Sequence, residues 1–231
     1  MIDKNNTLIS IQEFINASLK EVQDNRPVKK ITSWYASQIG SCMRGMYLQR
    51  LGKEPDEPLD DRTLRVFDMG NKIESWVVDL IKAQEVEIET QVRVEDAELN
   101  ITGYADAVIE VKGKKEVLEI KSKHSRAFWW MDKKKEGTMR QHQYQLWIYL
   151  YLLKIDRGSI IYVSKDDLSI LQYLVFRNDK QLEKEVMEII NSLNRAWKKQ
   201  DPSLLPLPEK GSWQAKYCRY HKQCLKYEPR L

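Results

Sequence analysis

The sequence predicts an α/β protein in which a mixed central β-sheet is flanked by helices. Three observations predict it: apolar residues recur at helical spacing up to about residue 82, the period changes to strict alternation from Val86 to Val94, and the element order is helix, three strands, helix, two strands, helix. With 231 residues, 42% hydrophobic and 31% charged, the chain can fill a core and carries no compositional mark of disorder.

The elements follow in order. Residues 8–23 and 36–51 read as amphipathic helices separated by Arg26-Pro27, and Gly52, Pro55 and Pro58 close the second. From 61 to 82 Leu64, Phe67, Ile73, Val77, Leu80 and Ile81 mark a helix that Asp60 or Asp61 can cap. Strands are expected at 86–94, 101–111 and 116–122, then a helix at 138–153, strands at 159–163 and 171–176, and a helix at 179–199 that ends before Pro202. The expected division is a helical N-terminal lobe (1–60), a core (61–200) and a cysteine-bearing tail (201–231) packed on that lobe.

Some function classes drop out. The longest apolar run, Leu146 to Leu153, has eight residues, against roughly 20 needed to span a bilayer. The N-terminus MIDKNNTLIS lacks a signal-peptide pattern, and three cysteines do not make a disulfide framework, so a reducing cytoplasm is expected. A net charge of +4 is compatible with a polyanionic partner but too mild to argue for one. Lys112, Lys114 and Lys115, and Lys133 to Lys135, are local basic clusters that solvated loops explain equally well.

The chemistry concentrates in one hairpin. With Lys112-Gly113 as a two-residue loop, paired residues have numbers adding to 225, and Asp106 falls opposite Glu119. Two carboxylates facing each other at about 5 Å between Cβ atoms repel unless a cation compensates. Alternation puts Glu119 and Lys121 on one face and Leu118 and Ile120 on the other. Glu110-Val111-Lys112 repeats the Glu-x-Lys spacing at the turn, so position in mid-strand, not the tripeptide, singles out Glu119. A third carboxylate, Glu74, lies at helical offsets from Phe67, Gly70, Val77, Val78 and Ile81, on an apolar stripe where it must be neutral, paired or metal-bound. A salt bridge to a nearby lysine is the plain alternative.

These residues resemble the PD-(D/E)XK nuclease superfamily, in particular its RecB-like branch, found in recombination enzymes, CRISPR-adaptation nucleases and phages. The resemblance rests on Gly70-x-x-x-Glu74, Gly103-Tyr104-Ala105-Asp106, Glu119-Ile120-Lys121 and Gln145-Leu146-Trp147-Ile148-Tyr149, in that order over roughly residues 34–224. It implies a restriction-endonuclease-like core and an exonuclease acting on DNA ends or single strands, with recombination, replication or CRISPR-adaptation partners. It further implies that Glu74, Asp106, Glu119 and the Ile120 carbonyl hold Mg²⁺ or Mn²⁺, and that Lys121 orients the attacking water. Many RecB-like members carry His where this chain has Glu74; Glu is a hard oxygen ligand suited to Mg²⁺. Gln145 and Tyr149, one helical turn apart, would reach toward Lys121 and the nucleic acid backbone, although ordinary helix packing also accounts for them. His142 shares their face and reads as a bystander. Phe128, Trp129 and Trp130 could stack on unpaired bases, or simply join the core.

RecB-like iron-sulfur nucleases carry one upstream cysteine and a terminal Cys-x2-Cys-x5-Cys. Cys42, Cys218 and Cys224 match three of these positions and Ala215 stands at the fourth. Three outcomes stay open: a [4Fe-4S] cluster with an open or substituted iron, a zinc site using His221, or a metal-free remnant. The cluster ranks first because three matched positions so far apart are improbable by chance. A non-cleaving nucleic-acid-binding protein of the same fold is the functional alternative; a purely structural metal protein would explain the cysteines but not the carboxylates.

Overall fold

The computed structural model describes residues 10–224 apart from Arg26, Val28, Lys29, Glu85, Lys135 and Glu136. It is a mixed α/β fold around one sheet. Helix α1 (Ile11–Asp24) is capped by Ser10; residues 8 and 9 of the expected helix, and Lys135 of the expected lysine cluster, lie outside the described residues. Helix α1 buries none of its own residues and is tied to helix α3 (Asp61–Lys82) by Asn16 and Lys20, whose side chains reach Asp61 at 2.8 and 2.9 Å. Asp60 caps α3 through the Thr63 amide, as its position predicts.

The expected helix over 36–51 is corrected. Trp34–Tyr35 forms strand β1, Ala36–Gln38 a 3₁₀ turn, and only Met43–Arg50 is helical (α2). The periodicity had recorded burial, since Ala36, Ile39, Met46 and Tyr47 all enter the core. Gly40, at φ +92°, turns the chain where Tyr144 leaves no room for a side chain.

Strands β2 (Glu87–Asp96), β3 (Ile101–Val111) and β4 (Lys114–Lys123) follow. The β3–β4 hairpin keeps the expected register: pairs run from Val111↔Lys114 to Ala107↔Leu118, each adding to 225. Lys112 and Gly113 have φ of 52° and 72°, both left-handed, which is what the twist of a two-residue hairpin demands. Helix α4 (Ser125–Lys134), not anticipated, and α5 (Arg140–Leu153) then cross to β5 (Arg157–Ser164), parallel to β4; β6 (Ile170–Phe176) pairs antiparallel with β5. Helix α6 (Lys180–Lys199) is capped by Asp179, and the short helices α7 (Trp213–Lys216) and α8 (His221–Cys224) end the described chain. Among the described residues no helix is long and apolar enough to cross a membrane.

Two cores cover the sheet. The larger, under α5 and α6, contains Trp34, Ile101, Ala105, Leu146, Trp147, Ile160, Val186 and Ile190; the smaller joins Ile73, Val77 and Val78 of α3 to Ala107, Leu118, Ile120 and Val163. One topological detail opens the site. Strand β2 lies along β3 from residue 101 to 110, so β4, at 107–111, and β1, at 101–102, must share the other edge. Residues 103–106 lie between those two partners, and Asp106 closes that stretch.

Candidate active site

Glu119 and Lys121 project from β4 toward α5, while Leu118 and Ile120 pack against α3, so the expected alternation holds. Glu119 is 0% exposed and ion-paired to the Lys121 ammonium. Apart from that ammonium, neither of its carboxylate oxygens has a hydrogen-bond partner. Burial above all, eased by Lys121 and worsened by the charges of Asp106 and Glu74, pushes its carboxyl up to about 8. Lys121 is raised as well: burial disfavours its charge, but the three carboxylates outweigh that.

Asp106 sits where the ladder with β4 has ended, and its Oδ2 accepts the Ile120 amide at 2.7 Å in place of a backbone carbonyl. Burial raises its carboxyl, against the pull of Lys121 and the Ile120 amide. Glu74 comes from α3. The stripe assigned to it needs correcting: Phe67 is 54% exposed, while Ile73, Val77 and Val78 carry the packing. Glu74 is therefore half-buried at the margin of the apolar face, its Oε1 accepting from Gln91 Nε2 at 2.7 Å. Burial, and then the charge of Asp106, raises it. Glu74 feels the charge of Asp106 and Glu119 feels both, and all three carboxylates interact with the ammonium of Lys121, which leaves an excess of negative charge when all are ionised. Among the described residues no three His, Cys, Asp or Glu side chains are already gathered as metal ligands; Lys121 stands against Glu119, and Gln91 holds Glu74. The donor set, hard carboxylates with two buried oxygens unserved by hydrogen bonds, fits a hard divalent cation.

Behind the carboxylates, Gln145 donates to the Tyr149 hydroxyl at 3.0 Å, and both side chains are buried. Burial and then the charge of Glu119 hold the Tyr149 phenol protonated well above its ordinary range. A Cβ on Gly103 would come within 2.9 Å of the Tyr149 ring and 3.1 Å of Ala36. Gly103→Ala should therefore displace Tyr149, cost about 1–3 kcal/mol of stability, and lower the DNA cleavage that the resemblance implies by up to about 10²-fold through misplacement. Thermal melts beside cleavage rates on the same preparation check it; wild-type values for both would refute it.

His142 donates to or accepts from the Tyr162 hydroxyl at 2.6 Å, and burial and then the nearby Lys123 and Lys121 push it down to about 3, so it is a neutral buried residue. Phe128 is core; Trp129 and Trp130 are 51% and 38% exposed and meet edge to face. Lys112, Lys114, Lys115 and Lys133 are exposed. Sequence reasoning missed Gln91 and Lys123, the latter lowered to about 8 by burial and then by Lys121; Lys123 lies two residues beyond Lys121 on the same strand face, a parity that pointed to it.

Away from the carboxylates, Cys42, Cys218 and Cys224 converge: hydrogen bonds from Cys218 and then Cys224 lower the Cys42 thiol. With Ala215 and His221 they line a cavity of about 490 Å³ between α2 and the tail. The fourth place holds a methyl group, so a four-thiolate cluster does not fit these residues. Cys224 packs with Leu48 and Tyr220, and Asp56 takes the Lys222 amide at 2.7 Å, fastening this segment.

A family model of the PD-(D/E)XK nuclease superfamily matches residues 12–225. The CRISPR-associated exonuclease Cas4 of Saccharolobus solfataricus is 27% identical over 143 residues, which is 61% of this chain; the alignment spans 60% of that relative's length. The crystal structure of SSO0001 superposes with a TM-score of 0.63 at 22% identity, covering 95% of this chain and 98% of that one. The alkaline exonuclease LHK-Exo from Laribacter hongkongensis gives a TM-score of 0.54 at 12% identity over 81% and 95% of the two chains. At such identities the likeness to the solved structures is one of fold.

Proposed function

Because the chain belongs to the PD-(D/E)XK nuclease superfamily, we propose that it is a Mg²⁺- or Mn²⁺-dependent deoxyribonuclease that removes nucleotides from DNA ends or single strands. The observation that carries the reading is Glu119, a fully buried carboxylate set with Asp106 and Glu74 around one lysine. A nuclease family model over most of the chain and relatives named as exonucleases support the reaction and its polarity toward ends.

Glu74, Asp106 and Glu119, with the Ile120 carbonyl, would hold the cation, which when bound lowers the pKa of the attacking water and stabilises charge on the phosphate. Burial of Glu119 and Asp106 keeps water from screening these charges. Asp106, fixed by the Ile120 amide, keeps β4 at the height where Glu119 and Lys121 face it. Lys121, which pairs with Glu119, would position the nucleophile and offset charge on the phosphoryl oxygens. Gln145 holds the Tyr149 hydroxyl beside Glu119, a neutral donor toward a phosphate oxygen. The three thiols have no part in this chemistry; they lie between the start of α2 and the tail segment, and recombination, replication or CRISPR-adaptation proteins are the partners this reading points to.

End-labelled single- and double-stranded DNA incubated with Mg²⁺, Mn²⁺ or EDTA tests the proposal. Release of nucleotides from ends with either metal and none with EDTA is expected. Cleavage that persists in EDTA would sink it, and tight DNA binding without any cleavage would favour the accessory-protein alternative.

A further inference from the structure

Of the six non-glycine residues with positive φ among those described, five lie in turns, a hairpin loop or at helix ends, and Gln91, at φ 52°, stands alone inside a strand. Such a conformation is strained for a side chain with a Cβ, and glycine would adopt it freely. Strain kept in a regular strand points to a use for the residue that bears it.

The strain lies opposite the carboxylates. Thr90 pairs with Ala107 and Val92 with Ala105, but the rung between them, Gln91 with Asp106, is not formed. Across that rung both strands exchange faces. Val92, Val94, Ile101 and Ala105 pack with the larger core, whereas Ile88, Ala107 and Ile109 pack with the smaller one against α3. The left-handed residue thus belongs to the kink that isolates Asp106 from its ladder, and its amide donates to Glu74 Oε1 at 2.7 Å. One residue of β2 therefore bears on both sides of the site: its backbone stands at the unformed rung opposite Asp106, and its side chain holds Glu74.

We propose that Gln91 is a positioning residue whose strained backbone aims its amide at Glu74, holding that carboxylate in reach of the cation shared with Asp106 and Glu119. This rests on the reading of Glu74 as a metal ligand. Partners that orient a metal ligand commonly contribute about 10- to 100-fold in metal affinity.

The test compares Gln91→Gly, Gln91→Met and Glu74→Ala in the full chain. Mn²⁺ binding is followed by calorimetry, and the Mn²⁺ dependence of DNA cleavage by initial rates. Glycine relieves the backbone and removes the amide; methionine keeps the strain and the length but loses the amide. Both Gln91 variants should bind Mn²⁺ about tenfold more weakly, with the loss in metal half-saturation rather than in turnover at saturating metal, and Gln91→Gly should melt no lower than wild type. Glu74→Ala should lose more affinity than either. Wild-type Mn²⁺ binding by both Gln91 variants beside a defective Glu74→Ala would overturn the role of Gln91 alone. A defect in Gln91→Met without one in Gln91→Gly would overturn the role of the amide. Wild-type binding by Glu74→Ala would remove the reading on which the proposal stands.

Discussion

Substituting Lys121 by methionine is expected to lower the rate of DNA cleavage by at least about 10²- to 10³-fold, the loss typical of removing one preorganised group that stabilises transition-state charge, while Mn²⁺ binding is retained or tightened. The split follows from where the ammonium sits. Without a cation Lys121 rests against Glu119 and is the charge that makes three neighbouring carboxylates tolerable. A divalent ion held as proposed would compete for the same carboxylate, so removing the lysine would remove a competitor from the ligand set. The chemical step then lacks its charge on the phosphate. Lys123, the next residue on that strand face, cannot stand in. Its ammonium lies against Met139, and burial together with Lys121 makes its charge harder to keep. Asp106→Asn should differ in kind, losing both cleavage and metal affinity, since Asp106 is a candidate ligand as well as the acceptor of the Ile120 amide. Single-turnover rates on end-labelled DNA and calorimetric Mn²⁺ titrations separate the two. A Lys121→Met enzyme within tenfold of wild type, or one that has lost Mn²⁺ binding, would show that the lysine plays another part.

Much of this site was legible in the sequence because the hairpin is governed by local rules. Gly113 requires a left-handed turn, the turn fixes the register, and the register places Asp106 and Glu119 across from one another. What could not be read is that the ladder stops one rung short of that pair, because nothing in the alternation of β2 marks the kink at Gln91. A single left-handed residue leaves the polar-apolar pattern on either side intact while reversing which face each half presents. Helix α4 escaped for a related reason: Phe128, Trp129 and Trp130 are consecutive, yet only Phe128 and Met131, three apart, turn into the core. The segment 36–42 failed in the other sense, since the periodicity there recorded the burial of Ala36 and Ile39 in and beside a 3₁₀ turn rather than along an α-helix. Glu74 does come within reach of Asp106 and Lys121, but the apolar stripe expected around it is only partly there: Phe67 is exposed, and the carboxylate lies at the edge of that stripe, where it touches Gln91.

Glu119→Gln is expected to stabilise the protein in the absence of divalent ions and to abolish cleavage. The carboxyl of Glu119 is raised to about 8, so the folded protein holds a proton there that the unfolded chain releases at the ordinary carboxylate value. Between those limits the folded state binds more protons, and stability falls as pH rises. Glutamine has the shape of the protonated form and cannot ionise. Its advantage should be small at pH 4.5, grow through pH 8 and then level off. A carboxyl raised by folding costs the fold about 1.4 kcal/mol for each unit of the rise, less what Lys121 loses when its nearest partner is neutral, and in a chain of this length each kcal/mol of net gain is a rise in melting temperature of about 2–4 °C. Saturating Mn²⁺ should reverse the order. A cation that binds only the folded state stabilises it in proportion to its affinity, and the glutamine variant, lacking an anionic oxygen, gains little from it. Thermal melts of both proteins from pH 5 to 9, with EDTA and with Mn²⁺, decide the matter. If wild type is the more stable in EDTA across that range, the buried carboxylate is compensated by the protein itself, and the cation is not what its unserved oxygens await.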